Sequence, residues 1–235
     1  MPRDWGVTVR VVESRPDWVI PLAELLALPG ELLVVGAVLG GLYLYGVWTN
    51  RSDNAGPLCP DDTIRTIGVV FGGLALVVLV ESLVGAPRPP SEWHAISPSP
   101  HGFPSGHTMA ATVCWGAIAW WHRHGDAVFR VAAVGAVVAL VGSARVVLGV
   151  HYLPDVLSAI ALGVGYLVLA DRVIDSPRHA LATALAIAGL SVLASAGGSR
   201  ALLAFAGTAG VALGWVGTEH PPIRTRIRGV VASLA

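Results

Sequence analysis

The chain has 235 residues, of which 54% are hydrophobic and only 13% charged, and its formal net charge at pH 7 is zero. So few polar residues cannot cover a soluble globule, and the long apolar runs point to a polytopic membrane protein built as one helix bundle over residues 1–235. All fifteen basic residues are arginine, which reads as biased codon usage, and a zero net charge carries no information about an acidic partner.

Residues 1–16 are polar and mixed, and suit a short arm or surface helix. The first residues lack a basic cluster followed by a cleavable apolar core, so no removable signal peptide is expected. Trp18 to Leu28 is too short to span and ends at Pro29 and Gly30; it reads as an interfacial or re-entrant helix, or half of a kinked span. Glu31 to Trp48 is the first full span, with Tyr43, Tyr45 and Trp48 placed for an interfacial aromatic belt. Asn50 to Asp62 is a loop. Thr63 to Gly85 is the next span, closed by Pro87, Pro89 and Pro90.

The loop from Pro87 to Pro104 holds six prolines and several polar residues, and its length without helical pattern suggests a functional cover. Spans follow at Ser105 to Trp121, with Ser105 suited to cap the helix, at Asp126 to Leu148, and at Pro154 to Ile174. Ala180 to Ala196 and Ala201 to Val216 complete the set. Cys59 falls in a loop and Cys114 in a span, so neither a disulfide between them nor a metal cluster is expected.

Alternating the spans gathers residue 85, residue 105, residue 148 and residue 154 on one membrane side. The other side collects nine arginines, Arg224, Arg226 and Arg228 among them, whereas the motif side has Arg88, Arg145 and Arg200. The positive-inside rule then turns the motif side outward and leaves the C-terminus in the cytoplasm. The cluster of three arginines near the C-terminus reads as an anchor for anionic lipid, not as a nucleic-acid patch.

That motif side concentrates the chemistry. His151 and Asp155 are four apart, so helical geometry through the turn would lay the carboxylate beneath the imidazole and leave one ring nitrogen as a nucleophile. His107, on another helix, suits a general acid. Arg88 and Arg145 are planar, permanent cations that match phosphate bidentately. The N–H groups of Ser105, Gly106 and His107 open a helix, and its N-terminal end attracts anions. His94 and His101 in the Pro-rich loop could touch a head group, His122 and His124 on the other side read as interface residues, and His179 and His220 receive no role.

The set Arg88-Pro89, Pro104-Ser105-Gly106-His107, and Arg145 with His151 and Asp155 resembles the type 2 phosphatidic acid phosphatase superfamily, related to vanadium haloperoxidases. The likeness covers a catalytic core of about residues 63–174. It implies an all-α membrane bundle with a six-helix core, here with additional C-terminal helices at about 178–216. It also implies hydrolysis of a lipid phosphate or polyprenyl diphosphate without metal or cofactor. His151 would take the phosphoryl group, Asp155 would orient it, and His107 would protonate the leaving group. Arg88, Ser105, Gly106 and Arg145 would hold the phosphate oxygens.

The chain departs from that pattern twice. The lysine that opens the family's first motif falls at Glu81, and the serine that usually precedes the third-motif arginine is Ala144. Glu81 inside a span is expected to position an arginine of the site or to receive a cationic head group. A phosphotransferase using an alcohol acceptor, or a lipid-binding relative without catalysis, would carry the same motifs. A haloperoxidase fits a short membrane-bound chain poorly.

Overall fold

The computed structural model describes residue 3 and residues 5–51, 56–123 and 125–233. Every regular element among them is helical. In chain order these are α1 (Val7–Ser14), α2 (Val19–Ala27), α3 (Leu32–Thr49), α4 (Asp61–Val84) and α5 (Gly106–Trp121). Then come α6 (Ala127–Val147), α7 (Leu153–Val173), α8 (Pro177–Ala194), α9 (Ser199–Glu219) and α10 (Pro221–Ser233). Short 3-10 turns occupy Leu28–Gly30 and Ser91–Trp93.

Six of these helices, α3, α4, α6, α7, α8 and α9, are long and apolar enough to cross a membrane. Their outer faces are bare of polar cover: Leu33, Leu193 and Val128 are 87%, 78% and 77% exposed. Such surfaces are stable only against hydrocarbon, so the bundle is that of an integral membrane protein.

α4 is the hub. It packs along α8, α5 and α9, and twelve of its residues are buried. Small residues set the spacing, because a Cβ on Gly68 would come within 2.8 Å of the Ala180 Cβ and one on Gly73 within 2.6 Å of Val113. With lipid outside, such close backbone contact is a main source of helix association.

The interior helix α5 has only 16 residues. At one end the Ser105 N–H donates to the Asp155 carbonyl at 3.1 Å. At the other, Trp121 Nε1 donates to Asp171 at 3.0 Å, with Arg65 stacked 4.7 Å over the Trp121 ring. α5 therefore runs the length of α7 and crosses with it, in agreement with the span expected there.

The ends of α4 and α6 and the starts of α3, α5 and α7 share one end of the bundle. Long-range bonds lock them: Gly102 N–H to Ala86 O (2.9 Å), Ala95 N–H to Leu148 O (3.0 Å), and Trp115 Nε1 to Pro29 O (3.0 Å). The segment 19–30 remains at this end, packed on α6. It is a short helix and turn leading into α3, not half of a longer span. The C-terminal arginines, expected only as an anchor, lie on the helix α10.

The α6–α7 link carries a specific demand. Gly149 has φ +71°, and a Cβ there would sit 2.1 Å from the Trp93 carbonyl oxygen. Left-handed geometry alone costs an L-residue about 1–2 kcal/mol, and the Pro-rich loop must also move. Gly149→Ala is expected to lower the thermal midpoint in detergent and to loosen the loop, seen as faster proteolysis between Pro87 and Pro104.

Candidate active site

The end of the bundle just described brings three loops together. The Pro-rich segment after α4 carries Arg88, the turn before α5 carries Ser105, and the α6–α7 link carries His151. Side chains from separate membrane helices meet there because the backbone bonds across the loops hold them in register.

His151 is 1% exposed, and both of its ring nitrogens have partners. Nε2 lies 2.8 Å from Arg88 Nη1, and Nδ1 lies 2.9 Å from the Gly102 carbonyl oxygen. A guanidinium has no acceptor, so Nε2 must carry the lone pair and Nδ1 the proton. The tautomer follows from geometry. Burial pulls His151 down to about 4, against the opposing pull of Asp155, so the imidazole is neutral at ordinary pH.

Asp155 faces the His151 ring as a charge and not through a direct hydrogen bond. Its Oδ2 is 3.8 Å from His151 Nδ1, beyond hydrogen-bond reach, and instead accepts the Tyr152 N–H at 2.9 Å. Oδ1 pairs with Arg3, which also donates to the Pro87 carbonyl and lies 5.5 Å over the Tyr152 ring. The helix starts only at Leu153, so His151 precedes it and the four-residue helical spacing does not apply. The Gly102 carbonyl occupies the place at Nδ1 that the sequence assigned to the carboxylate.

Arg88 is fixed on four atoms. Besides His151 it donates to Val150 O (2.7 Å), to Ser99 Oγ (2.9 Å) and to the Ser99 carbonyl. Burial and the neighbouring Arg145 lower it to about 10, which leaves it cationic at neutral pH. Arg145, at the C-terminal end of α6, is 4% exposed, and its Nε has no hydrogen-bond partner among the described residues. A buried guanidinium with an unused donor is suited to an oxyanion.

His107 sits in the first turn of α5, with Nε2 2.7 Å from Glu31 Oε1. The contact depends on Gly30, where a Cβ would fall 2.4 Å from the His107 carbonyl oxygen. Burial works to raise Glu31, yet the hydrogen bond and charge of His107 hold its carboxyl below the usual range. Glu31 received no role from the sequence, and no motif marks it. Both histidines feel the charges of Arg88 and Arg145, so all four groups share one neighbourhood.

Ser105 needs a correction. It holds the N-cap position, but its hydroxyl bonds Thr108 Oγ1 at 2.9 Å instead of a backbone N–H. Its own N–H is taken by Asp155 O, so Gly106 and His107 remain as the first-turn donors. Glu81, 2% exposed on α4, pairs with Arg200 of α9 at 2.6 Å. Of the two expectations for Glu81, contact with an arginine fits, although that arginine comes from beyond the motifs.

Among the remaining histidines, His94 bonds Pro89 O at 3.0 Å and His122 bonds Thr66 at 3.2 Å. His124 lies outside the described residues. Cys59 and Cys114 are both free and buried. Among the described residues no group of three or more His, Cys, Asp or Glu is arranged to hold a metal ion.

The neutral His151 carries a pH signature. In histidine-labelled protein followed by NMR, the resonance absent from His151→Asn is expected to titrate near pH 4. A midpoint near the ordinary histidine value of about 6.5 would show a solvated ring without this burial.

The family model described as the PAP2 superfamily matches residues 63–177. Among solved structures, the chain is similar to "the first transmembrane PAP2 type phosphatidylglycerolphosphate phosphatase from Bacillus subtilis", at 22% identity and a TM-score of 0.59. That match covers 72% of this chain and 85% of the other. No curated protein sequence matches the chain.

Proposed function

From the premise that residues 63–177 are a PAP2 superfamily core, we propose that the protein is a membrane phosphatase acting on a lipid phosphate or polyprenyl diphosphate through a phosphohistidine. The observation that carries this reading is the lone pair of His151 Nε2, set 2.8 Å from the Arg88 guanidinium in the neighbourhood of Arg145 and His107.

In the reaction, phosphate oxygens take donors from Arg88 and Arg145 and from the first-turn N–H groups of α5. Arg88 Nη1 then gives up His151 Nε2 for an oxygen, which frees the lone pair to attack phosphorus. The bond to the leaving oxygen breaks, and His107 supplies the proton. Gly102 O steadies the developing charge at Nδ1. Water then attacks the phosphohistidine, releases inorganic phosphate and restores the ring. The chain's own side chains fill each of these roles, so the reaction is proposed as metal-independent.

Asp155 acts one step away, holding the Tyr152 N–H and thereby the start of α7 beside His151. Glu81 is a positioning residue for Arg200. The excess of arginines at the far end supports an outward-facing site and a cytoplasmic C-terminus. A cysteine introduced at His101 is expected to react with an impermeant maleimide added to intact cells, and one at Arg226 only after permeabilisation; the reverse pattern would overturn the orientation.

The function is tested by phosphate release from phosphatidic acid, phosphatidylglycerol phosphate and polyprenyl diphosphate, with a chelator present. Release from at least one lipid is expected. Silence on all three, or activity that the chelator removes, would refute the proposal.

A further inference from the structure

Arg200 is a guanidinium beside this site that the reaction as written does not use, and two contacts place it there. Its Nη1 lies 2.6 Å from Glu81 Oε2 and 3.3 Å from Ser99 Oγ, the hydroxyl that also accepts from Arg88 at 2.9 Å. Arg88 and Arg200 are thus bridged by a single oxygen. Nε and Nη2 of Arg200 make no hydrogen bond among the described residues. The side chain is 41% exposed, whereas Glu81 is 2% exposed, so the buried carboxylate is the anchor and the guanidinium the reaching group.

Arg200 and His107 also line the same cavity, about 340 Å³ in volume, between α3, α4 and α9. Glu31 and Gly106 complete its polar end, and Val35, Leu39, Leu74, Val78 and Leu203 make the rest apolar. A lipid chain fits such a wall by burial alone. The polar end belongs to the leaving-group side of the reaction, since the general acid is there. A guanidinium on that side has nothing to recognise in the neutral alcohol released from a simple monoester. It matches a leaving group that carries its own phosphate, and because one hydroxyl, Ser99 Oγ, joins Arg200 to Arg88, that phosphate adjoins the one Arg88 holds.

We propose that Arg200, anchored by Glu81, binds the inner phosphate of a lipid diphosphate whose chain lies in the α3/α4/α9 cavity. This rests on the phosphatase reading above and narrows its substrate class. The terminal phosphorus bonds to His151 Nε2 as its bond to the bridging oxygen breaks. The electron pair stays on that oxygen, and the lipid monophosphate departs against Arg200, with His107 supplying the proton it takes up. Water then attacks phosphorus and gives a proton back to His107 as the phosphorus–nitrogen bond breaks, so inorganic phosphate leaves and the Nε2 lone pair is restored.

The test compares a prenyl diphosphate with the prenyl monophosphate of the same chain length, following phosphate release by the parent, Arg200→Ala, Arg200→Lys and Glu81→Gln. A lost charge-assisted contact is worth on the order of 10- to 100-fold. Arg200→Ala is expected to lose that much kcat/KM on the diphosphate and no more than about fivefold on the monophosphate, the scale of an indirect charge effect. Arg200→Lys should recover part of the loss, and Glu81→Gln should erode the diphosphate preference while the thermal midpoint stays near that of the parent. Equal losses on both substrates, or a parent without diphosphate preference, would overturn the assignment and leave the phosphatase reading standing. A parent that releases phosphate from neither lipid would overturn both.

Discussion

His151→Ala is expected to reduce phosphate release by about 10⁴- to 10⁶-fold, the scale at which removal of a nucleophile leaves only binding and electrostatic stabilisation. The parent, quenched during turnover of a lipid labelled in its terminal phosphate, should carry label that is stable to alkali and lost in acid, as a phosphoramidate is. The variant should carry none. Because the ring is 1% exposed and bonded at both nitrogens, a loss of fold must be separated from a loss of chemistry. His151→Asn keeps polarity and most of the volume, so a parent-like melting temperature with no phosphoenzyme isolates the nucleophile. Residual activity within about tenfold of the parent would place the phosphoryl acceptor elsewhere.

The second large effect belongs to His107. General acid catalysis contributes about 10²- to 10⁴-fold, and His107→Gln is expected to lose an amount in that range on substrates with an alkoxide leaving group. On an aryl phosphate, whose leaving oxygen needs no proton, the loss should shrink to a small fraction of this. Glu31→Gln should show a weaker form of the same pattern together with a displaced pH optimum, because the carboxylate touches His107 Nε2 at 2.7 Å and favours its protonated form. A loss that ignores leaving-group chemistry would assign His107 to phosphate binding instead. Measuring kcat and the pH profile on both substrate types decides between these roles.

The helices were legible because a span of apolar residues is a local signal, and their ends were marked by proline, glycine and aspartate. Asp126, for instance, caps α6 by accepting from the Val128 and Phe129 N–H groups at 2.9 and 3.1 Å. The residues of the candidate site were legible where chemistry and spacing coincide, and the structure gathers Arg88, His107, Arg145 and His151 in one neighbourhood. The partners were not legible. Glu31 lies 76 residues from His107, Gly102 lies 49 from His151, and Arg3 lies 152 from Asp155, so no short window of sequence contains any of the three pairs. A backbone carbonyl is a further step removed, since every residue has one and no side chain advertises its use. Asp155 faces His151 Nδ1 at 3.8 Å without a direct hydrogen bond, because a four-residue spacing brings side chains into close register only within a helix and α7 begins two residues after His151.

The shortness of α5 bears on where in the leaflet the chemistry happens. Sixteen residues rise about 24 Å, against a hydrocarbon layer of about 30 Å. Its ends lie level with Asp155 and Asp171, inside both ends of α7, so the first turn with His107 is expected to sit slightly below the head groups, in a shallow well of the bilayer that substrate must enter. Reconstitution in lipids of increasing acyl length should deepen that well and slow turnover, while thermal stability changes little; a rate indifferent to bilayer thickness would put the first turn of α5 at the water's edge.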